Sequence, residues 1–302
     1  PLSKYIWFDG KLVPVNMAKV PVTTHAIHYG TSIFEGIRAY WNSKNLHVFR
    51  LKDHVKRFRN SGKFYNIKLN FSDRQIENAV IDLCKKNKIK KSCYIRPFYF
   101  VGQYGINFHV TQKAPTHTAI FAFPFGDLFN KSGITATISK WRKFSDMSTP
   151  TQAKMGGNYL NSILATQDAK QRGFDEAILL DQSGNVSEAP GENIFLVKNN
   201  KLVTPSLSSS ALDGITRRSI ITLAKDMKLK IKTQKVSKKE LKMADEIFLS
   251  GTAAEITPVI KIDKKKIGEG KVGNITKLFM DTYSNIVMNK SENYSHWLTV
   301  VY

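Results

Sequence analysis

Cysteine, acidic residues and long apolar runs are scarce in this chain of 302 residues. Its two cysteines, Cys84 and Cys93, show no CxxC spacing, so we expect neither a disulfide framework nor a zinc site, and a reducing cytoplasm fits. No run of about 18 apolar residues occurs, so no membrane span is predicted. The first residues lack the apolar core of a signal peptide, and we therefore expect no secretion.

The shortage of acidic residues leaves 46 Lys and Arg against 24 Asp and Glu, a formal net charge of +22. Such a surplus can indicate a nucleic-acid-binding protein, which would need clustered basic residues interleaved with aromatic stacking partners. The lysines are instead dispersed, apart from short groups such as Lys264 to Lys266, and no nucleic-acid motif accompanies them. This pattern favours a solvated basic surface, whose field attracts anionic small molecules.

Alternation of strand and helix patterns predicts a two-domain α/β (α+β) protein. The predicted smaller domain is 1–124, the linker is the Pro-, Gly- and polar-rich segment 125–133, and the larger domain is 134–302. Hydrophobic periodicity and turn signals predict strands at 5–8, 11–15, 33–41, 46–50, 93–101, 116–123, 134–142, 176–181, 185–188, 193–198, 201–204 and 246–250, with further strand to about 268. Helices are predicted at 51–64, 72–88, 158–172, 216–228, 238–243 and 275–288.

One lysine stands in an unusual setting. Lys154 lies in a loop between a predicted strand and a predicted helix, two residues before the pair Gly156-Gly157. Glycines allow a ligand or backbone to approach closely, and such loops often carry functional groups. A lysine amine forms a Schiff base with a carbonyl compound when burial or a nearby cation lowers its pKa. Most lysines are simply solvated, so a catalytic role for Lys154 is indicated only if other segments supply residues that could bind the same ligand.

Three later segments offer such partners. Glu188 ends a predicted strand at a Pro-Gly turn, where a buried carboxylate needs a cationic or hydrogen-bonding partner. Gly214 precedes the helix that begins near Ile215 and Thr216, and a helix N-terminus binds phosphate. Ser250 to Thr252 end another strand with hydroxyls and amides that suit an anion. Each segment alone also fits an ordinary turn or helix cap.

The N-terminal half adds two further candidates. His25 and His28 have a spacing compatible with metal ligation, but no third ligand lies nearby in the sequence, so no metal site is predicted. Arg57 lies on a predicted helix, where its guanidinium fork could match a phosphate or could simply face solvent.

Taken together these segments resemble the class IV, fold-type IV enzymes that depend on pyridoxal phosphate (PLP), and specifically the branched-chain amino acid aminotransferases. The resemblance runs over almost the whole chain. It is carried, in this order, by YIWFDGKLVP, HAIHYGTSIFEGIRAY, YIRPFYFVG, AKMGGNYLNS, SEAPGENIF, SALDGITRRSI and ADEIFLSGTAAEITPV. It implies a smaller N-terminal domain and a larger C-terminal domain with a barrel-like sheet.

The resemblance also implies a role for each matching residue. Lys154 would carry PLP as a Schiff base and move protons in a ping-pong transamination, while Glu188 would hold the pyridine nitrogen. Tyr159 would bind the phenolic oxygen, and Leu212 would pack on the ring. The phosphate would be held by Arg57, Ile215, Thr216 and Thr252. The substrate would be bound by Tyr29, Phe34, Gly36, Tyr94, Arg96, Phe125, Thr252 and Ala253.

The implied reaction exchanges amino groups between Leu, Ile or Val and 2-oxoglutarate, giving glutamate, in a cytoplasmic homodimer or assembly of dimers. We expect buried Arg96 to have a hydrogen-bonded neighbour, because an unpaired buried charge is costly. Leu128 and Phe125 depart from the tyrosine and tryptophan common in bacterial relatives, which could widen tolerance for aromatic substrates. D-amino acid aminotransferase and aminodeoxychorismate lyase share the lysine and glutamate and remain the alternatives within the fold.

Overall fold

The computed structural model describes residues 3–302, so residues 1 and 2 of the predicted first domain lie outside the description. By its internal contacts the chain divides into two units. The first contains the described residues up to Gly126 together with Ala153–Gly157 and Asn285–Tyr302, and the second contains Asp127–Gln152 and Asn158–Ser284. Lys154 and the C-terminal segment thus belong with the first unit, whereas the sequence prediction placed both in the larger domain.

The regular elements are these, in chain order. Up to Pro124 they are β1 (Tyr5–Phe8), β2 (Lys11–Pro14), α1 (His25–Tyr29), β3 (Ser32–Phe34), β4 (Ile37–Trp41), β5 (Leu46–Phe49), α2 (Leu51–Lys63), α3 (Asp73–Lys86), β6 (Cys93–Val101) and β7 (Thr116–Pro124). Beyond it they are β8 (Ile134–Arg142), α4 (Tyr159–Gln171), β9 (Glu176–Leu180), β10 (Val186–Glu188), β11 (Asn193–Lys198), β12 (Lys201–Pro205), α5 (Ile215–Asp226), β13 (Ile231–Gln234), α6 (Lys238–Lys242), β14 (Glu246–Gly251), β15 (Glu255–Ile262), β16 (Lys265–Lys266), α7 (Asn274–Val287) and β17 (Leu298–Val300).

An eight-stranded sheet organises the first unit, in the order β17-β5-β4-β6-β7-β1-β2, with β3 pairing β6. The predicted hairpin at its edge is confirmed: Asp9 and Gly10 both have positive φ, 44° and 92°, as a type I′ turn requires. The capping box that opens α3 is confirmed as well, with Ser72 and Gln75 bonded reciprocally.

Helix α2 shows how the first unit combines a core with a polar site. Its buried positions, spaced three or four apart, form one stripe: Leu51, His54, Val55, Phe58, Ser61 and Gly62. Val55 and Phe58 join the hydrophobic core with strand residues such as Ile37 and Ile95. His54 and Ser61 lie on the same stripe without being apolar, so their burial requires polar partners.

The predicted strand 33–41 is wrong in one respect, because the structure splits it into β3 and β4 at Glu35 and Gly36. The Glu35 N–H donates to Pro97 O at 2.8 Å, while its side chain is fully buried among charged groups. A Cβ at Gly36 would overlap the Tyr94 hydroxyl, so any other residue at this position would have to displace the Tyr94 side chain. On either side of the break, β3 and β4 both pair with β6.

A mixed nine-stranded sheet organises the second unit, in the order β10-β9-β8-β15-β14-β11-β12-β13, with β16 on β15. Its core includes Ile178, Ile194, Leu249 and Val259, all at most 2% exposed. The short elements α1, β13 and β17 were not predicted, because each is too short to show a periodicity of its own. Within residues 3–302 there is no helix long and apolar enough to cross a bilayer.

Candidate active site

Lys154 is held by its backbone against β3 and α2 in the first unit. Its N–H donates to Ser61 Oγ at 3.0 Å, and its carbonyl accepts from the Phe34 N–H at 3.1 Å. The next residue, Met155, forms a β-bridge with Ile33. The polar serine on the buried stripe of α2 thus anchors the loop that carries the lysine.

The amine of Lys154 has an altered proton affinity. Burial, followed by the positive charge of Arg57, lowers its pKa to about 8, and Glu35 opposes the shift. The Nζ atom lies 4.9 Å from the centre of the Phe34 ring. An amine with this pKa is partly neutral near neutral pH, so it can act as a nucleophile and as a proton carrier.

Arg57 lies one turn after His54 on α2, and both bind the carboxylate of Glu35. Arg57 Nε donates to Glu35 Oε1 at 2.6 Å, Arg57 Nη2 donates to Oε2 at 2.9 Å, and His54 Nδ1 lies 2.7 Å from Oε2. Burial alone would raise the pKa of Glu35, but the charge of Arg57 and the hydrogen bonds from Arg57 and His54 keep it far below its usual range. One edge of the Arg57 guanidinium is therefore bonded to Glu35. The sequence alone suggested that the fork could bind phosphate and did not reveal this contact.

Strand β6 carries Tyr94 and Arg96 two residues apart, on the same face. Arg96 Nη2 donates to the Tyr94 hydroxyl at 3.0 Å, which confirms the expected hydrogen-bonded neighbour. The guanidinium carbon also lies 4.6 Å from the Phe34 ring centre and 5.2 Å from that of Tyr94. Phe125 packs 5.5 Å from the Tyr94 ring, so the first unit brings five predicted substrate residues together, with Gly36 beneath the tyrosine hydroxyl.

Tyr29, also predicted to line the substrate pocket, lies apart from these contacts at the end of α1. Its ring packs on His25 at 4.7 Å and on Phe108 at 5.2 Å. His25 is buried against Thr31 and the carbonyl of Asn107. Across residues 3–302 no three His, Cys, Asp or Glu side chains are grouped as metal ligands would be.

Glu188 forms the centre of the second unit's polar group. Its Oε1 lies 2.8 Å from Lys143 Nζ, and both side chains are less than 10% exposed. Its Oε2 accepts from the Leu212 N–H at 2.9 Å and from Asn193 Nδ2 at 3.3 Å. Sequence reasoning missed Lys143, which follows β8 among other basic residues and has no local pattern to mark it.

The loop before α5 is fixed by side-chain amides of the second unit. Asn193 Nδ2 donates to Leu212 O, and Gln152 Nε2 donates to Ala211 O, both at 2.8 Å. Gly214 is the N-cap of α5 and so offers no capping side chain, and a Cβ there would overlap the Asn193 amide oxygen. The first-turn amides at Ile215 and Thr216 are therefore placed to bind an anion.

The remaining predicted cofactor and substrate residues of this unit lie at element ends. Thr252 and Ala253 form the turn between β14 and β15, next to Ser250, whose buried hydroxyl has no hydrogen-bond partner among the described residues. Tyr159 is the first residue of α4. An unpartnered buried hydroxyl beside turn amides is consistent with a site that holds an anionic group.

Comparison with known proteins shows which family the chain belongs to. Residues 32–262 match the sequence profile of the family described as amino-transferase class IV. The chain is 42% identical to the branched-chain-amino-acid aminotransferase of Salmonella typhimurium, over 99% of this chain and 98% of that one. The chain therefore belongs to the class IV aminotransferases, and within them to the branched-chain-amino-acid aminotransferase family.

Solved structures agree with this assignment. The branched-chain amino acid aminotransferase of Escherichia coli superposes with a TM-score of 0.96 at 42% identity, covering 99% of this chain and 100% of that one. The T.th. enzyme complexed with N-(5′-phosphopyridoxyl)-L-glutamate gives a TM-score of 0.96 at 39% identity, covering 99% of each chain. The predicted family and fold class are confirmed.

Proposed function

We propose that this aminotransferase uses PLP to exchange amino groups between branched-chain L-amino acids and 2-oxoglutarate. The observation that carries the proposal is Lys154, whose pKa of about 8 suits covalent attachment to the aldehyde of PLP. The T.th. relative binds a phosphopyridoxyl derivative of glutamate, in agreement with this cofactor and this amino-group partner. Bound PLP withdraws electrons from the bond to the substrate's α-hydrogen, which makes that proton removable.

The residues present fit such a group. Three groups can bind a phosphate by their chemistry. They are the start of α5 at Ile215 and Thr216, which has no capping side chain, the turn amide of Thr252 and the guanidinium of Arg57. Glu188 would accept a hydrogen bond from the pyridine nitrogen. Leu212 would pack against the ring, and Tyr159 would donate to the phenolic oxygen.

Lys154 would act as the proton carrier. A base with a pKa near 8 removes a proton and returns it with little energetic penalty at neutral pH. Its backbone is tied to Ser61 and Phe34, so only the side chain has to move. This arrangement supports a ping-pong exchange in which one amine serves both half-reactions.

The carboxylate of Glu188 is held in place as a hydrogen-bond acceptor. Lys143, Leu212 N–H and Asn193 all donate to it, so its orientation is set before any ligand arrives. A carboxylate held in this way would keep the pyridine nitrogen protonated.

The substrate side has to accept an aliphatic side chain and the distal carboxylate of glutamate. Phe34, Phe125 and the Tyr94 ring supply an apolar lining, while Arg96 lies over two of these rings and would meet the carboxylate. The Tyr94 hydroxyl, with the amides of Thr252 and Ala253, would hold the α-carboxylate. Leu128 is 45% exposed. Because Leu128 and Phe125 replace a tyrosine and a tryptophan common in relatives, we expect some activity with aromatic amino donors.

We also propose a homodimer or an assembly of dimers in the cytoplasm. The first unit has exposed apolar side chains, and three of them, Val22, Ile106 and Phe108, are each more than 80% exposed, which favours their burial against another subunit. Light scattering coupled to size-exclusion chromatography tests the assembly, and a monomer at micromolar concentration would contradict it.

A donor panel with 2-oxoglutarate tests the substrate class. L-leucine, L-isoleucine and L-valine should react, L-phenylalanine more weakly, and D-alanine and aminodeoxychorismate should not. Activity confined to the last two compounds would replace the proposal with one of the alternatives within the fold.

A Lys154→Ala variant tests the attachment site. It should keep the wild-type circular dichroism spectrum but lose the absorbance of lysine-bound pyridoxal and nearly all turnover. Lys140→Ala, on the exposed end of β8, is a matched control and should behave as wild type. Repeated turnovers by Lys154→Ala would show that another lysine carries the cofactor.

Removal of the acceptor is the companion test. Glu188→Ala should still bind PLP through Lys154 and the phosphate ligands, while kcat falls at least about a hundredfold because the electron-withdrawing state is lost. Unchanged turnover would refute the role of Glu188.

A further inference from the structure

We propose that Glu35 is a positioning residue for the cofactor: it orients the Arg57 guanidinium toward the phosphate of PLP. The inference rests on the proposed role of Arg57 as a phosphate ligand. Glu35 lies within the FEGIRAY segment, and neither its sequence position nor the implied site residues assigned it a task.

The contacts of Glu35 are all with cations or hydrogen-bond donors. The residue is 0% exposed, and its carboxylate receives Arg57 Nε at 2.6 Å, Arg57 Nη2 at 2.9 Å and His54 Nδ1 at 2.7 Å. Because an ionised carboxylate only accepts, His54 Nδ1 carries a proton. Burial lowers the pKa of His54 despite the attraction of Glu35, so a neutral imidazole that donates from Nδ1 fits this position.

Paired hydrogen bonds fix the direction of an arginine. Arginine side chains have several rotatable bonds, and a two-point contact along the Nε–Nη2 edge removes rotation of the guanidinium. The opposite edge, with Nη1, is directed away from Glu35. In metal sites, a carboxylate that does not touch the metal often orients a side chain that does. The buried carboxylate of Glu35 would orient the Arg57 guanidinium toward the phosphate in the same way.

The backbone of Glu35 is equally constrained. Its N–H donates to Pro97 O at 2.8 Å, and a side chain at the following Gly36 would have to displace Tyr94. Replacing a whole buried ion pair with well-packed hydrophobic residues is often neutral, so stability alone does not require the pair of Glu35 and Arg57. A buried carboxylate at this position is explained if it has to hold the Arg57 guanidinium in the orientation that binds a ligand.

The test compares two probes that differ only in the phosphate. The cofactor-free enzyme is titrated with PLP and with pyridoxal, and binding is followed by absorbance and fluorescence. In Glu35→Gln the amide NH₂ faces an N–H of Arg57 whichever way it turns, so Arg57 loses its paired contact. We expect the dissociation constant for PLP to rise about 10–100-fold, the range typical of outer partners. That for pyridoxal should change less than about threefold.

Asp53→Asn is the matched control. Asp53 lies on the same helix and pairs with Arg50 Nε at 2.6 Å, but it belongs to a different ion pair. It should bind both probes within about twofold of wild type, because partly exposed pairs contribute little and this pair includes neither Glu35 nor Arg57. If Glu35→Gln does not fold, Glu35→Asp retains the charge, shortens the reach to Arg57 and should weaken PLP binding selectively.

Arg57→Lys separates the two levels of the proposal. It should weaken PLP binding and leave pyridoxal binding unchanged, and adding Glu35→Gln to it should cost no further PLP affinity. Unchanged PLP affinity in Arg57→Lys would overturn the phosphate role of Arg57 and the inference with it. A loss in Arg57→Lys with none in folded Glu35→Gln, or equal losses for PLP and pyridoxal in the Glu35 variants, would overturn the inference alone.

Discussion

Replacement of Lys143 by methionine should destabilise the second unit by leaving Glu188 buried without its cation. Removing one member of a buried ion pair costs about 3–5 kcal/mol, whereas replacing both is often neutral. Glu188 keeps the Leu212 N–H and Asn193 as donors, so we take the lower end, about 3 kcal/mol. For a unit of roughly 150 residues each kcal/mol lowers Tm by about 2–4 °C, so a fall of about 6–12 °C is expected.

The measurement is thermal unfolding of the cofactor-free protein, followed by circular dichroism. Lys143→Met combined with Glu188→Gln should recover most of the loss, because no buried charge remains unpaired. Lys198→Met is the matched control: its Nζ lies 2.7 Å from Asp245, but both side chains are nearly half exposed, and such pairs contribute at most about 1 kcal/mol. Tm of Lys143→Met within about 1 °C of wild type, or a double variant as unstable as the single one, would refute the reasoning.

Two further predictions concern the first unit. Because the pKa of Lys154 is lowered to about 8, its amine is mostly neutral above that pH, and the rate at which cofactor-free enzyme captures pyridoxal should rise with pH with a midpoint near 8; a midpoint near the ordinary lysine value of 10.5 would contradict this. Gly36→Ala should displace the Tyr94 hydroxyl and raise KM for L-leucine about tenfold or more, since overpacking typically costs about 1–3 kcal/mol. Gly126→Ala, whose Cβ would meet open space, is its control, and an equal KM for both variants would contradict the steric account.

Local patterns were sufficient for most of the elements. The Asp9-Gly10 turn, the Ser72 capping box and the apolar runs of β6 and β7 each express a preference of a few neighbouring residues, and the structure contains all of them. Short elements such as β13 and β17 exist through pairing with β12 and β5, so no local signal could reveal them. The break at Glu35 and Gly36 has the same character, because the side chain that fills the space beside Gly36 is Tyr94, which lies far along the chain on β6.

The sequence by itself determined the family and the kind of chemistry. Lys154 between a strand and a helix, Glu188 at a Pro-Gly turn and Gly214 before a helix are local arrangements, and together with the other matching segments, in the same order, they carry the resemblance to the family. Tertiary structure alone decided which charges surround them. Glu35 with Arg57 and His54, and Lys143 with Glu188, meet across tens of residues, and the pKa of Lys154 follows from such neighbours. A lysine's reactivity depends on the burial and charge around its amine, and these exist only once the chain is folded.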